Sequence, residues 1–303
     1  MTKPLIQAKQ YLKSPLNYIG GKYKILGQIL PLFPKETQVF IDLFCGGCNV
    51  AMNRESPQII CNDNLSYLIQ LYKFLQQNKL DSILNEIEQI IELYQLNMQN
   101  TVGYNTLRNA YNSHKEPLLL LTLIAFSFNH QIRFNNSHQF NNPFGKNRSS
   151  FNPNMKRNLI YFIQNLQSKN IEFFNYDFRD FIESHHFTNE TFIYADPPYL
   201  ITQGTYNDGK RGFSGWNEVL EKDLLESLYK LDSKGVKFAL SNVLKHKNKE
   251  NIILKQWVDS NSYIITPIYH HYTNSNYQVK CRDKNQTQEV LITNYQPNKV
   301  YLP

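Results

Sequence analysis

The chain has 303 residues, 41% of them hydrophobic and 19% charged, which excludes a disordered protein and predicts one large domain or a domain with a sizeable insertion. Its 32 Lys and Arg residues exceed the 25 Asp and Glu residues, giving a formal charge of +7 that is compatible with a polyanionic partner. The first residues lack a signal-peptide core, and no apolar run reaches the ~18–20 residues that span a bilayer. We therefore expect a cytoplasmic protein without a membrane partner.

The first predicted strand covers 38–44, a continuous apolar run that ends in Cys45-Gly46-Gly47. Such a run is typical of a strand buried on both faces of a parallel sheet. A second strand is predicted at 58–61 and a helix at 65–75. This alternation indicates the beginning of a doubly wound α/β fold.

Helical spacing continues from Leu80 to about Leu123, with no strand pattern. Residues 128–154 are rich in Asn, Ser, His, Phe and Pro, which predicts loops with one hairpin. Helical spacing returns at 155–167. The middle of the chain thus differs in pattern from the strand-forming beginning.

Strand patterns resume after the middle segment, at 170–174 and 192–195, followed by an amphipathic helix at 220–231. A further strand is predicted at 237–240, ending at Ser241-Asn242, and a final one at 289–295. Since the sheet-forming segments lie at both ends, we expect residues 1–74 and 160–303 to form one domain and residues 75–159 to be inserted into it.

The positive charge is concentrated in the predicted insertion. Residues 100–160 carry seven Lys or Arg and one Glu, a net +6, so the rest of the chain is close to neutral. Aromatic and Asn side chains are interleaved with these cations. Cations contact phosphates, amides read base edges and aromatic rings stack, so this segment is predicted to bind nucleic acid.

The tetrad Asp196-Pro197-Pro198-Tyr199 follows a predicted buried strand, at the strand end where open α/β sheets bind ligands. Two prolines cannot continue the strand and give a rigid exit. The Asp196 carboxylate and the Pro197 carbonyl can each accept a hydrogen bond from a planar NH2 group, and Tyr199 can stack on the ring that carries it. The pattern favours chemistry at an amino group.

Glycines directly after the first strand allow a ligand to approach the backbone closely. Asp63 lies 21 residues after Asp42, just past the second strand, at a spacing typical of an acid that contacts ribose hydroxyls. It is equally suited to cap the helix that begins near Leu65. Together with the tetrad, this loop predicts a nucleoside-bearing cofactor beside an amine pocket.

In these motifs and their order the chain resembles the DNA adenine methylases of the Dam type. Tyr18-Ile-Gly-Gly-Lys22, Phe44-Cys-Gly-Gly-Cys48 and Asn62-Asp63 resemble the family's N-terminal motif, glycine loop and ribose-binding acid. Tyr176-Asp-Phe178 resembles the pair beside the cofactor adenine, Asp196–Tyr199 the catalytic tetrad, and Glu289–Tyr295 the closing strand. Arg133-Phe-Asn135 and Phe140–Gly145 resemble the target-recognition hairpin.

The resemblance implies a Rossmann-like α/β methyltransferase that moves a methyl group from S-adenosylmethionine to the 6-amino group of a flipped adenine in double-stranded DNA. It implies a catalytic domain at 1–74 and 160–303, a target-recognition insertion at 75–159, no metal, and a cognate restriction endonuclease as a partner. The implied catalytic residues are Asp196, Pro197, Pro198 and Tyr199; the implied cofactor contacts are Tyr18, Gly20, Gly21, Lys22, Asp42, Phe44, Gly46, Asp63, Asp177, Phe178 and Asp196; and the implied DNA contacts are Asn129, Arg133, Asn135, Asn141, Lys146 and Arg148.

The hairpin departs from the pattern of methylases that modify GATC. Its tip is Asn136-Ser-His-Gln139 instead of a basic residue, a glycine and an acid, and His130 replaces a glycine. These changes predict a target other than GATC.

Two alternatives stay open from the residues themselves. The same pocket can hold the amino group of cytosine, and a methylase fold can survive as a catalytically silent DNA-binding module. Cytosine C5 methylation is excluded because its cysteine nucleophile follows a proline, and no Pro-Cys pair occurs here.

Four cysteines, at 45, 48, 61 and 281, do not form a disulfide framework in a chain of this length. Cys45 and Cys48 have CxxC spacing, but there is no second such pair and no Cys/His pair at zinc-ligand spacing. The spacing therefore predicts neither a metal nor a redox site.

Overall fold

The computed structural model describes residues 11–202, 215–269 and 287–297, so the fourth cysteine, Cys281, lies outside the described residues. The strands are β1 (Val39–Asp42), β2 (Gln58–Asn62), β3 (Ile171–Phe174), β4 (Thr191–Ala195), β5 (Lys237–His246), β6 (Lys249–Glu250), β7 (Ile264–Ile268) and β8 (Thr287–Thr293). They form one sheet in the order β3-β2-β1-β4-β5-β8-β7, with β6 paired to β5. The predicted α/β class is confirmed.

The first five strands of this order are parallel, and β8 runs antiparallel between β5 and β7. Val39, Phe40, Ile41 and Asp42 pair in register with 58–61 of β2 on one side and 191–194 of β4 on the other. The carboxyl ends of β1, β2 and β4 therefore meet at one edge of the sheet. This is the edge at which open α/β folds bind ligands.

Helices cover both faces of the sheet and form a cluster beside it. They are α1 (Leu26–Ile29), α2 (Asn49–Asn53), α3 (Ser66–Gln77), α4 (Leu80–Leu93), α5 (Thr101–His114), α6 (Pro117–Phe126), α7 (Pro153–Ser168), α8 (Phe178–Ser184), α9 (Glu218–Asp232) and α10 (Ile252–Asn261), with short 3-10 turns at Lys22–Ile25, Leu30–Leu32 and Phe128–His130. No helix in the described ranges has the length and apolarity needed to cross a bilayer.

The apolar helix α6 is buried over its whole length from Leu118 to Phe126. It contacts α3, α4 and α5, because a helix that is hydrophobic on all sides must be surrounded. One hydrophobic core runs without a break from Phe40 of β1 to Leu123 of α6. The segment predicted as an insertion thus packs directly on the sheet domain and shares its core.

Most predicted strands and helices are present within a few residues of the expected bounds. The prediction that the strand beginning at Lys237 ends at Ser241-Asn242 is wrong, because β5 continues to His246. Antiparallel pairing with β8 extends the strand, and the pairing register shifts between Val243 and Lys245. Ser241 and Asn242, the polar pair predicted to end the strand, lie within it and are no more than 1% exposed.

Candidate active site

One pocket lies at the carboxyl ends of the central strands. Every residue that the sequence predicts as catalytic or cofactor-binding lines it: Tyr18, Gly20, Gly21, Lys22, Asp42, Phe44, Gly46, Asp63, Asp177, Phe178, Asp196, Pro197, Pro198 and Tyr199. These positions are spread over about 180 residues of sequence. The parallel pairing of β1, β2 and β4 brings them together.

The carboxylate of Asp196 is held by two donors. Lys22 Nζ lies 2.9 Å from Asp196 Oδ1, and the Tyr199 hydroxyl donates to the same oxygen at 3.0 Å. Burial raises the pKa of Asp196, and the Lys22 ammonium opposes that rise. Since the Asp196 side chain retains 17% exposure and lines the pocket, it can accept a further donor from the pocket.

Tyr199 is almost fully buried, and its hydroxyl contacts the charged groups of Lys22, Asp196 and Glu289. It receives a hydrogen bond from Lys22 Nζ at 2.7 Å and lies 3.0 Å from Glu289 Oε1. The Lys22 ammonium also lies 5.0 Å from the Tyr199 ring centroid, a cation–π distance. The tetrad tyrosine is therefore held in place before any ligand enters.

Glu289 is a residue of this site that the sequence analysis placed only in a closing strand. It is 3% exposed, and its Oε1 lies 3.5 Å from Lys22 Nζ. It stands at the edge of the apolar run Val290–Ile292 in β8. A single acid in a strand that is otherwise buried is the signal that could have identified it, because a buried carboxylate needs a charged or hydrogen-bonding partner.

The glycine loop after β1 approaches Tyr18 so closely that a side chain on the loop would be crowded. Gly46 has a positive φ of 44°, and a Cβ there would lie 3.0 Å from the Tyr18 ring. A Cβ on Gly47 would meet Tyr18 Cβ at 3.1 Å. The Gly46 amide donates to Asp63 Oδ2 at 3.0 Å, so the loop is tied to the acid that follows β2.

Asp63 lies between the start of α3 and the pocket, and its contact with ribose hydroxyls stays a prediction. Its Oδ1 accepts from the Leu65 amide at 2.9 Å, one residue before α3 begins, although Leu65 itself is the N-cap and has no side-chain cap bond. The Asp63 side chain also lines the pocket. Burial raises the pKa of Asp63 to about 6 and, with Cys48 and Asp196 nearby, raises the pKa of Asp42 well above its usual range. Buried carboxylates with raised pKa values favour a cationic ligand.

Three aromatic rings that pack together form one end of the pocket. The Phe44 ring lies 5.6 Å from that of Phe178 and 5.8 Å from that of Trp216, and Phe178 lies 5.7 Å from Trp216. Asp177, at the same end, caps α8 and accepts from Arg179 Nε at 2.8 Å. This apolar slot with a polar edge suits a planar heterocycle.

Trp216 was not anticipated from the sequence, and a buried acid fixes it. Its Nε1 donates to Glu221 Oε2 at 2.6 Å, while Glu221 Oε1 accepts from Asn242 and Asn251. Glu221 is fully buried, and these donors oppose the rise in its pKa that burial causes. The network links α9, β5 and α10 to the wall of the pocket.

Three cysteines lie together, two from the glycine loop and one from β2. The Sγ atoms of Cys45, Cys48 and Cys61 all lie within 4.8 Å of one another, and all three residues are buried. The sequence analysis found only the CxxC pair, because Cys61 comes from β2. Burial raises the pKa of Cys45 and Cys61, whereas hydrogen bonds to Cys48 outweigh burial and lower its pKa.

The predicted hairpin is present as a short turn whose base borders the pocket. Phe134 and Phe140 form an antiparallel bridge, and Ile132 and Phe134 line the pocket. The Asn135 side chain accepts from the amides of Ser137 and Gln139, both at 3.0 Å. The structure thus uses Asn135 to shape the tip, where Asn136, Ser137 and His138 are exposed.

Of the other predicted DNA contacts, some are hydrogen-bonded within the protein and others are exposed. The Arg133 guanidinium donates to Asn141 Oδ1 at 2.9 Å and to its carbonyl at 2.6 Å. Asn129 accepts from Asn17 through its backbone carbonyl at 2.8 Å. Lys146 and Arg148 are exposed, and the Arg148 guanidinium lies 4.9 Å from the Phe128 ring. Among the predicted DNA contacts, Lys146 and Arg148 are therefore the two that present their charges on the surface beside the hairpin.

The comparisons agree with the motifs. The model of the D12 class N6 adenine-specific DNA methyltransferase family matches residues 18–274. The chain is 46% identical over 289 residues to the type II methyltransferase M.FokI of Planomicrobium okeanokoites and 46% identical over 288 residues to the modification methylase StsI of Streptococcus sanguinis, covering 95% of this chain and 44% of each relative. It is 28% identical over 209 residues to a DNA adenine methylase of Haemophilus influenzae, covering 68% of both. The chain therefore spans less than half the length of the first two relatives.

Proposed function

The chain belongs to the D12 class N6 adenine-specific DNA methyltransferases, and from this membership we propose that it transfers a methyl group from S-adenosylmethionine to the 6-amino group of adenine in double-stranded DNA. The observation that carries the proposal is the Asp196 carboxylate, held by Lys22 and Tyr199 at the carboxyl end of β4 and still reachable from the pocket. Amino methylation of cytosine uses the same hydrogen-bonding groups, but the family match favours adenine.

The pocket has the chemistry that the cofactor requires. S-adenosylmethionine supplies a methyl group on a positively charged sulfonium. The aromatic slot of Phe44, Phe178 and Trp216 suits its adenine, and Asp63 suits its ribose hydroxyls. Tyr18 and the glycine backbone at 20–21 and 46 line the same pocket and suit its methionine part, because glycines leave the backbone open to a ligand. The carboxylates Asp42, Asp63 and Asp196 favour its cationic groups.

The tetrad holds the target amine in our proposal. Asp196 and the Pro197 carbonyl accept its two hydrogens, which keeps the nitrogen lone pair directed at the transferred methyl. Lys22 and the Tyr199 hydroxyl fix the carboxylate, so little reorganisation is needed on reaction. The Tyr199 ring stacks on the flipped base, whose extrusion costs a few kcal/mol. Glu289 keeps Lys22 and Tyr199 in position.

The hairpin next to the pocket supports the choice of a duplex substrate. Residues Ile132 and Phe134 at its base border the same pocket as Asp196, so its exposed tip lies near the base that enters. We assign direct base reading to the tip at 136–139 and phosphate contacts to Lys146 and Arg148. Residues 75–159 then act as the recognition insertion, and Arg133, Asn135 and Asn141 build the hairpin that carries the tip.

A labelled methyl-transfer assay tests this function. The purified chain, S-[methyl-3H]adenosylmethionine and unmethylated duplex DNA should give label in DNA, and Asp196→Ala should lower the rate by at least about 100-fold. The matched control is Asp180→Asn, an exposed acid on α8, which should leave the rate unchanged. Near-normal transfer by Asp196→Ala would refute the assignment.

A restriction–modification role follows from the same relatives, two of which are named as a type II methyltransferase and a modification methylase. We propose that this chain protects cytoplasmic DNA against a cognate endonuclease. The target should differ from GATC, because the hairpin tip lacks the basic residue, glycine and acid of the GATC pattern. Sequencing of DNA modified by the chain would identify the site, and GATC methylation would contradict this part.

A further inference from the structure

The cysteine cluster of the glycine loop and β2 has no role in the proposed methyl transfer. Cys45 lies at the boundary with the pocket and is 6% exposed, whereas Cys48 and Cys61 are completely buried. We propose that Cys45, Cys48 and Cys61 together form a binding site for a thiophilic metal ion such as Zn²⁺ or Cd²⁺. Three sulfur ligands select soft or borderline ions over Mg²⁺ or Ca²⁺.

The geometry of the cluster is close to what three metal–sulfur bonds require. Zn–S bonds of about 2.3 Å place tetrahedral sulfur ligands roughly 3.8 Å apart, and the three Sγ atoms here already lie within 4.8 Å of one another. Closing the set therefore needs shifts of the order of 1 Å, within the reach of side-chain rotation. A disulfide would use only two of the three cysteines, whereas a metal ion would use all three.

The backbone holds the three ligands in place. The Cys48 amide donates to the Cys45 carbonyl at 2.7 Å, and the Cys45 amide donates to the Asn62 carbonyl at 2.9 Å. Cys61 lies within β2, opposite Asp42 of β1. Since strand pairing and these hydrogen bonds fix the backbone at the three cysteines, most of the entropy needed to assemble the ligands is lost on folding.

Cys45 gives an ion its route of entry. It lines the pocket, whereas Tyr72, whose hydroxyl donates to the Gly46 carbonyl at 2.7 Å, is completely buried. Binding forms three metal–sulfur bonds, and each cysteine that is protonated beforehand releases its S–H proton to solvent. The bound ion would join the glycine loop to β2, the two segments that flank Asp63.

Cadmium titration of the full chain tests the site without cofactor or DNA, so its outcome is independent of the proposed methyl transfer. The starting protein is Cys281→Ser, kept reduced with a phosphine, so that only the three clustered cysteines remain. We expect thiolate-to-cadmium ultraviolet absorption that saturates at one equivalent, release of up to about three protons per ion in weak buffer, and a higher melting temperature. Zn²⁺ in large excess should compete with Cd²⁺ and lower the absorption.

Single variants Cys45→Ala, Cys48→Ala and Cys61→Ala in that background should each abolish saturable absorption at one equivalent. Circular dichroism and the melting temperature without metal establish that each variant folds, and Cys45→Ala, nearest the pocket, is the mildest change. The proposal fails if Cys281→Ser shows no saturable absorption. It also fails if folded Cys45→Ala binds Cd²⁺ as the parent does.

Discussion

The pocket at the sheet edge and the hairpin beside it are built on opposite principles. In the pocket, charged groups are buried and engage one another: Lys22, Asp196, Tyr199 and Glu289 lie within hydrogen-bond or ion-pair distance. Around the hairpin, Lys146 and Arg148 are exposed. The contrast teaches that the charged groups of the pocket are preorganised by one another, whereas the charges that we propose to contact phosphates are open to solvent.

Removal of the Glu289 charge tests the preorganised region most severely. Glu289→Gln keeps the size of the side chain but weakens its hold on Lys22 and Tyr199. We expect kcat to fall by up to about 100-fold, because small displacements of positioned groups are that costly, while the Kd for DNA stays unchanged. Single-turnover kinetics and DNA titration separate the two. An equal loss of DNA affinity would mean that Glu289 does not act within the pocket alone.

Gly46→Ala tests the close approach of the loop to Tyr18. A left-handed φ costs a residue with a Cβ about 1–2 kcal/mol, and the new Cβ would lie 3.0 Å from the Tyr18 ring. We expect cofactor binding, measured by calorimetry, to weaken about tenfold. Gly27→Ala is the control, since its Cβ would have ordinary contacts at 3.7 Å. Equal affinities of the two variants would show that the cofactor does not depend on this loop.

Neutralising the exposed pair tests the other region. Lys146→Gln with Arg148→Gln should weaken DNA binding severalfold and lower the slope of log K against log salt by about 0.9 for each phosphate that the variant no longer neutralises. Cofactor affinity should not change. The control is Lys234→Gln with Lys237→Gln, two exposed cations elsewhere on the surface. If both pairs weaken DNA binding alike, the effect is one of net charge and the hairpin region has no special part.

The pH profile gives the smallest effect. Burial raises the pKa of Asp196 and Lys22 opposes it, with Glu289 and Asp42 as the neighbouring acids and Tyr199 as a donor. Protonation removes the acceptor for the amine, so kcat/KM should fall as the pH is lowered, starting above the usual range of an aspartate. Lys22→Met removes the opposing charge, and the acid limb of its residual activity should move to higher pH. A shift to lower pH would contradict this electrostatic account.

The sequence predicted the α/β fold and the pocket well because both depend on local signals. Buried strands are continuous apolar runs, and Asp63 and Asp196 directly follow two of them. Parallel pairing then brings the strand ends together by geometry alone. The domain split at residues 75 and 160 remains a prediction, and the shared core of β1 and α6 shows how closely the two parts pack.

What the sequence missed depends on contacts between distant residues. Cys61 joins Cys45 and Cys48 because β2 pairs with β1, and Glu289 reaches Lys22 because β8 inserts beside β5. Trp216 gains its place from Glu221, which is held by donors on β5 and at the start of α10. In each case the residue type alone had several common explanations, and only the fold selected one.

Nucleoside analysis of DNA incubated with the purified chain and S-adenosylmethionine tests the central claim most directly. After digestion, mass spectrometry should detect N6-methyl-2′-deoxyadenosine in amounts that rise with time with the native chain and are lost with Asp196→Ala. Methylated cytosine as the product, or no methylated base from folded chain that binds the cofactor, would contradict the account.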